Sequence, residues 1–230
     1  MLAKRSQKSG VTSQKKSWGN SSAGSPEALL RSAMAGLRLD LGSQQFAQFA
    51  AHFSLLLRWN EKINLTAVRK PEEIATRHFE ESLFLATLLP PPAGLLVDIG
   101  SGAGFPGLPL KIVWPSAETV LLEPNNKKAT FLKEVIRHCG LKGIEVRTER
   151  LQEAVASDLA GRAALATIRA VAATPELLRD VRSLLMPGGR AAFFVGEKDA
   201  SELAKHPAFQ WDLPASIPHS DRRVILLGRS

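Results

Sequence analysis

Between Val97 and Gly107 the chain reads Val-Asp-Ile-Gly-Ser-Gly-Ala-Gly-Phe-Pro-Gly, a carboxylate followed by glycines at 100, 102, 104 and 107. Glycine lets main chain approach a ligand closely and accepts positive φ. Asp98, placed just before the glycines, could meet an ammonium or sulfonium and would repel a pyrophosphate. Glu123 closes a second apolar run, where its carboxylate could accept hydrogen bonds from both hydroxyls of a ribose. Together these residues suit a nucleoside that carries positive charge. Gly102, Gly104 and Gly107 also fit the dinucleotide fingerprint, which makes a nicotinamide-dependent oxidoreductase the main competitor. Asp98 and the additional Gly100 decide against it, since acidic-x-Gly-x-Gly-x-Gly is the form usual in methyltransferases.

Such a loop works only at the end of a strand, and the surrounding pattern supplies one. Short apolar runs at Leu95 to Ile99, Thr119 to Leu122, Ile144 to Arg147, Leu165 to Ile168, Ala191 to Val195 and Val224 to Leu227 alternate with helical segments at Gly107 to Val113, Lys127 to Cys139 and Pro175 to Leu185. Met186, Pro187, Gly188 and Gly189 are expected to end the last helix and turn it into a strand. The alternation predicts an α/β fold with a doubly wound, mostly parallel, seven-stranded Rossmann-like sheet, whose first strand-to-helix turn lies at the ligand-binding edge. Before it, Phe46, Phe49, Ala50, Phe53, Leu56 and Leu57 recur at helical spacing, with Ser43 as the expected N-cap. A further helix is expected from Pro71 to Leu89, with Glu72 and Glu73 at its positive end, and another from Pro26 to Leu39. The predicted organisation is a basic tail over 1–25, a helical cap over 26–92 and a nucleoside-binding domain over 93–230.

The net charge of +8 suits a polyanionic partner but is unevenly placed. Lys4, Arg5, Lys8, Lys15 and Lys16 stand in a serine- and glycine-rich segment without acids, read as a disordered tail, and the remainder is only about +3. The apolar stretch from Leu83 to Val97 is interrupted by Pro90, Pro91 and Pro92, which excludes a membrane span of about 20 residues there. Cys139 is the single cysteine, so neither an internal disulfide nor a multi-cysteine metal site can form, in keeping with a reducing cytoplasm.

Two stretches carry a family resemblance. One is Trp59-Asn60-Glu61-Lys62-Ile63-Asn64-Leu65-Thr66 followed by Arg77-His78-Phe79-Glu80-Glu81-Ser82-Leu83; the other is Val97 to Leu110 with its Phe105-Pro106-Gly107 signature. The chain resembles the ribosomal RNA small subunit methyltransferase G (RsmG, GidB) family from about Phe46 onward. That resemblance implies a class I methyltransferase that uses S-adenosylmethionine to methylate N7 of guanine 527 in 16S rRNA. It implies that Asp98, Gly100, Gly102 and Gly104 hold the methionine end, Glu123 the ribose, and Leu151 and Gln152 the adenine through their backbone, with Ser101 and Phe105 also binding the cofactor. Arg169, after the fourth core strand, would be the catalytic arginine facing the target base or its phosphate. Ile168 stands where family members usually have serine, and Val195-Gly196 where they have lysine-glycine. The implied partner is 16S rRNA or the small ribosomal subunit, with no metal, no membrane and a monomeric state.

Methylation at N7 of guanine removes no proton, so a nucleophile or histidine–carboxylate dyad is not required. Alignment of the reacting atoms can supply on the order of 7 to 11 kcal/mol. The guanine must leave its stack, which is cheaper in a single-stranded loop. Lys127 and Lys128 open a helix at its positive end, which favours phosphate binding over dipole complementarity and makes them RNA contacts. His78 reads equally as a packing residue or a substrate contact, and Asn64 as a turn cap or an RNA contact. Trp59 continues the apolar stripe and reads as core. Other functional classes that fit the sequence are a same-fold methyltransferase acting on another RNA or on protein, and an RNA-binding module without catalysis.

Overall fold

The computed structural model describes residues 24–230, so most of the basic tail predicted over 1–25 lies outside the described residues. The core strands are β1 (Leu95–Ile99), β2 (Thr119–Leu122), β3 (Ile144–Arg147), β4 (Ala163–Arg169), β5 (Leu185–Gly196) and β8 (Arg223–Arg229), with the two-residue β6 (Gln210–Trp211) and β7 (Ala215–Ser216) at the edge. Their order is β3-β2-β1-β4-β5-β8-β6, seven strands along the path, with β7 pairing β8 beside it. Strands β1 to β5 run parallel, and β8 returns antiparallel to β5. Runs such as Leu-Leu-Val-Asp-Ile and Thr-Val-Leu-Leu lack alternation because both faces of the sheet are covered.

Register brings the chemistry together. Ile99 at the end of β1 pairs with Leu122 of β2 on one side and Ile168 of β4 on the other. Gly100, Glu123 and Arg169 therefore leave the sheet side by side, at the point where the strand order switches direction and open α/β sheets bind ligands.

The helices are α1 (Pro26–Met34), α2 (Ser43–Asn60), α3 (Pro71–Ile74), α4 (Glu81–Leu88), α5 (Gly107–Val113), α6 (Asn126–Cys139), α7 (Leu151–Ala156), α8 (Pro175–Leu184) and α9 (Glu197–Leu203). On one face of the sheet, Phe46, Phe49 and Phe53 of α2 share a core with Leu108 of α5 and Phe131, Leu132 and Val135 of α6. On the other, Leu177, Leu178 and Val181 of α8 pack with Val97, Ile99 and Phe193. The cap is thus fused to the sheet domain through a common apolar layer.

Several local expectations are corrected. Ser43 is not the N-cap of α2: Gly42 caps it, its N–H donating to Gln45 Oε1 at 2.8 Å, because the glutamine reaches back over the first turn. The single helix expected from Pro71 to Leu89 is interrupted by a π-helical turn at Ala75–Glu80 between α3 and α4. The helix expected from Pro26 to Leu39 ends at Met34, followed by one 3₁₀ turn at Ala35–Leu37 and a left-handed Arg38. Met186 to Gly189 already belong to β5, which starts directly at Leu185, so the turn expected there is a distortion within the strand. The short helices α7 and α9 and the dipeptide strands β6 and β7 escaped the sequence reading, each being too brief for periodicity to register.

Candidate active site at the carboxyl edge of the sheet

The bend from β1 into α5 is held by two carboxylates. Asp98 is 1% exposed; its Oδ1 accepts from the Thr167 hydroxyl at 2.7 Å and its Oδ2 from Gly107 N–H at 3.3 Å. The first bond follows from register, since Asp98 and Thr167 are paired across β1 and β4. Burial pushes the Asp98 carboxyl up to about 6, against the opposing pull of its hydrogen bonds. Gly107 must be glycine here: a Cβ would lie 2.7 Å from Asp98 Oδ2 and 2.5 Å from Leu121 Cδ2.

Glu123, 5% exposed, closes the loop from the β2 side. Its Oε2 accepts from Gly102 N–H and its Oε1 from Asn125 N–H, both at 2.8 Å. Each oxygen keeps a further lone pair, so two more donors can be taken without breaking either bond. Gly102 sits at φ 57° and Gly104 at φ 88°, conformations that leave a bare backbone rim beside that carboxylate. Ser101 does not face the rim: it is buried, and its hydroxyl donates to Asp98 O at 3.0 Å.

Phe105 points away from the rim and into the cap. Its ring lies between two imidazoles, His52 of α2 at 4.9 Å and 21°, and His78 of the π turn at 4.9 Å and 23°. His52, wholly buried, also bonds through Nε2 to the Ala103 carbonyl at 2.9 Å, which ties α2 directly to the glycine loop. Desolvation lowers the imidazole of His52 to about 4 and, with Arg169 adding repulsion, that of His78 to about 3. Both rings are therefore neutral at pH 7 and can stack on phenylalanine without a charge to desolvate.

Arg169 leaves the end of β4 and turns toward the cap. The residue is 9% exposed; its guanidinium pairs with Glu81 Oε2 at 3.0 Å and donates to Ser82 Oγ at 3.3 Å and to the carbonyl of Arg77. It also reaches His78 Nδ1 at 3.2 Å, while His78 Nε2 lies 2.7 Å from the Thr66 hydroxyl. With the arginine donating to Nδ1, the proton of the neutral ring sits on Nε2 and points to Thr66. The π turn frees carbonyls that a regular helix would occupy, and Arg169 satisfies them. Arg169, expected to face the target base or its phosphate, links the sheet edge to the cap through these bonds.

The remaining predicted residues scatter more widely. Leu151 is buried at the start of α7, and the side chain of Gln152 beside it bonds to Asp180 of α8 at 2.6 Å. Lys127 is exposed and Lys128 half-buried at the start of α6, capped by Asn125 Oδ1 at 3.0 and 3.2 Å. Asn64 is exposed and accepts from Arg69; the capping of that turn falls to Asn60, whose Oδ1 takes the N–H groups of Leu65 and Thr66. Trp59 is half-buried, edge-on to Phe131 with its indole N–H on Glu134. Sequence reasoning missed His52, although a histidine within the Phe49–Phe53–Leu56 stripe was a usable signal, and Thr167, which only strand register reveals. Among the described residues, no group of three or more His, Cys, Asp or Glu side chains could hold a metal.

The family described as rRNA small subunit methyltransferase G (GidB) matches residues 45–216, covering nearly all of the cap helix α2, the loop and strands β1 to β7. The chain belongs to this family. Ribosomal RNA small subunit methyltransferase G of Halorhodospira halophila is 37% identical over 79% of this chain and 84% of its own length. The protein of the same name from Xanthomonas euvesicatoria is 38% identical over 87% of this chain and 97% of its own. The crystal structure of M. jannaschii TYW2 in complex with AdoMet shares the fold, with a TM-score of 0.54 and 16% identity over 74% of this chain and 78% of that one. In this GidB family member the signature Phe105-Pro106-Gly107 thus has a structural meaning: the phenylalanine anchors the loop to the cap and the glycine admits the Asp98 carboxylate.

Proposed function

We propose that this GidB family member transfers the methyl group of S-adenosylmethionine to N7 of guanine 527 in 16S rRNA. The observation that carries the reading is Glu123, which braces the glycine loop through Gly102 N–H and retains a lone pair on each oxygen for the two hydroxyls of a ribose. S-adenosylmethionine, when bound, supplies an electrophilic methyl group on a sulfonium. Asp98, with its carboxyl raised to about 6, is mainly ionised at pH 7 and puts a buried negative charge behind the loop where that cation would lie. Gly100, Gly102 and Gly104 present backbone to the methionine end, and the backbone at Leu151 and Gln152 borders the adenine.

No residue needs to remove a proton from N7, and the site offers no base poised to do so: His52 and His78 are committed to Phe105, Ala103 and Thr66. What the chain contributes is position. Arg169 fixes His78 and the Glu81–Ser82 turn, and so sets the wall of the cap that faces the loop; Lys127, Lys128 and Asn64 lie exposed or half-buried around it for RNA. Among the described residues no helix is long and apolar enough to cross a membrane. The reading places the chain with ribosomes in the cytoplasm, acting as a monomer. It is tested by mapping 7-methylguanosine in 16S rRNA from a strain lacking the gene and from one carrying it. The modification should vanish and return; its persistence without the gene would overturn the assignment.

A further inference from the structure

Five exposed basic side chains stand together on one surface of the folded chain. Residues 24–230 contain 25 basic and 22 acidic side chains. Along the exposed face of α6 stand Lys127, Lys133 and Arg137, and across from them, at the end of α2, stand Arg58 and Lys62. The acids interspersed with these five are Glu61 and Glu134. Glu134 is already engaged by the Trp59 indole N–H at 3.1 Å and by Arg58 at 3.8 Å. Among the described residues Lys62, Lys127, Lys133 and Arg137 make no ion pair, in contrast to Arg179 and Lys205 on the opposite face of the sheet.

Shape agrees with charge. The ends of α2 and α6 enclose a groove of about 730 Å³, with Trp59 and Ile63 forming one apolar wall and Lys62 and Lys127 at its edge. Lys127 is four residues beyond Glu123, so the groove opens next to the ribose carboxylate and runs away from it along α6. From Lys127 to Arg137 the helix rises about 15 Å, room for several phosphates in a row. Two unpaired cations, Lys62 and Lys127, border the groove beside an aromatic wall, features by which proteins track single-stranded nucleic acid, and Lys133 and Arg137 stand beyond it along α6.

We propose that the α2–α6 groove is the path of the substrate RNA strand as it leaves the methylation site, with Lys62, Lys127, Lys133 and Arg137 on its phosphates. This rests on the RNA methyltransferase reading above and adds to it the direction in which the strand runs. Each phosphate contact on a single strand contributes about 0.7 to the slope of log affinity against log salt. The triple variant Lys62→Gln/Lys133→Gln/Arg137→Gln removes three cations without touching the loop. The matched control, Arg179→Gln/Lys198→Gln/Lys205→Gln on α8, on α9 and in the turn after it, removes the same charge from the opposite face of the sheet.

Binding of unmethylated 16S rRNA transcript and of unmethylated small subunits would be followed over a range of KCl, with S-adenosylhomocysteine titrated by calorimetry as a folding and donor-site check. The groove triple is expected to lose at least tenfold in affinity for both RNA probes and about 2 from the salt slope, with donor affinity retained, while the control keeps its slope. Equal slopes in the two triples, or a groove triple that binds like the parent, overturns the path. A defect on subunits but not on the free transcript also overturns it and points to a ribosomal protein as occupant. If the groove triple binds and methylates guanine 527 normally, the path alone falls; if the parent neither binds nor methylates 16S rRNA, the functional reading falls with it.

Discussion

Replacing Arg169 by methionine tests whether that residue is a strut or a free substrate-facing cation. The Arg169 and Glu81 side chains are 8% and 3% exposed and 3.0 Å apart. Removing one member of a buried pair typically costs 3–5 kcal/mol because the other charge is stranded. Glu81 would retain Arg223 at 3.5 Å and Ser220 Oγ at 3.4 Å, which places the loss at the lower end, about 3 kcal/mol. Glu81→Gln should cost less, about 2 kcal/mol, since the guanidinium keeps Ser82 Oγ and the cap carbonyls. In the double variant no charge is stranded, so its loss should fall short of the sum of the two singles by at least about 1 kcal/mol. Urea unfolding followed by tryptophan fluorescence gives the cycle, and methylation kinetics give the functional half. A strut predicts that Glu81→Gln and Arg169→Met depress kcat together, Arg169→Lys restoring part of it. A stability change below about 1 kcal/mol for Arg169→Met, or strict additivity in the double variant, would refute the reasoning.

Glu123→Ala should weaken S-adenosylhomocysteine by at least about 100-fold, since two hydrogen bonds to a carboxylate at roughly 1.5–3 kcal/mol each are lost, with Glu123→Gln intermediate; undiminished affinity by calorimetry would exclude the ribose role. Stability should decline on acidification below about pH 6.5. His52 and His78, lowered to about 4 and about 3, take up protons more readily when unfolded, so their contribution is complete above 6.5 and is lost toward their folded values. Asp98, raised to about 6, opposes this: its contribution favours the fold at low pH and is lost as pH rises through 6. The two imidazoles outweigh the single carboxyl, and His78→Asn should flatten the profile measured by chemical denaturation; a parent whose stability rises from pH 7 to 5 would contradict the burial of both rings.

The strands at Leu95–Ile99, Thr119–Leu122 and Ile144–Arg147 and the helix Gly107–Val113 were legible to the residue; the first two are brief apolar runs closed by Gly100 and Glu123, and the helix is stopped by Trp114-Pro115. The loop was legible through its glycines, which adopt the positive φ values at 100, 102 and 104 without the strain a side chain would add. Side-chain direction was not. Phe105 and Ser101 stand in the motif as though they faced a ligand, yet the ring turns to His52 and His78 and the hydroxyl turns back to Asp98 O. Arg169 is a comparable case, since nothing local distinguishes a free arginine from one whose partner, Glu81, lies 88 positions earlier. The π turn at Ala75–Glu80 was invisible because its residues fit an ordinary helix; it is stabilised by tertiary contacts, above all Arg169 on the carbonyls of Arg77 and His78.

These contacts make loop and cap a single mechanical unit. Phe105 belongs to the glycine loop by sequence and to the cap by packing, held between a ring from α2 and one from the π turn. His78 in turn is fixed by Thr66 from the turn after α2 and by Arg169 from β4. A displacement of the cap therefore acts on the loop through the Phe105 stack and through the His52–Ala103 bond, and on the sheet edge through Arg169, with no flexible linker between. Packed side chains of this kind have few alternative arrangements, so strain at one end is transmitted rather than absorbed. The glycine loop and the cap are thereby kept in register by a phenylalanine and two uncharged histidines.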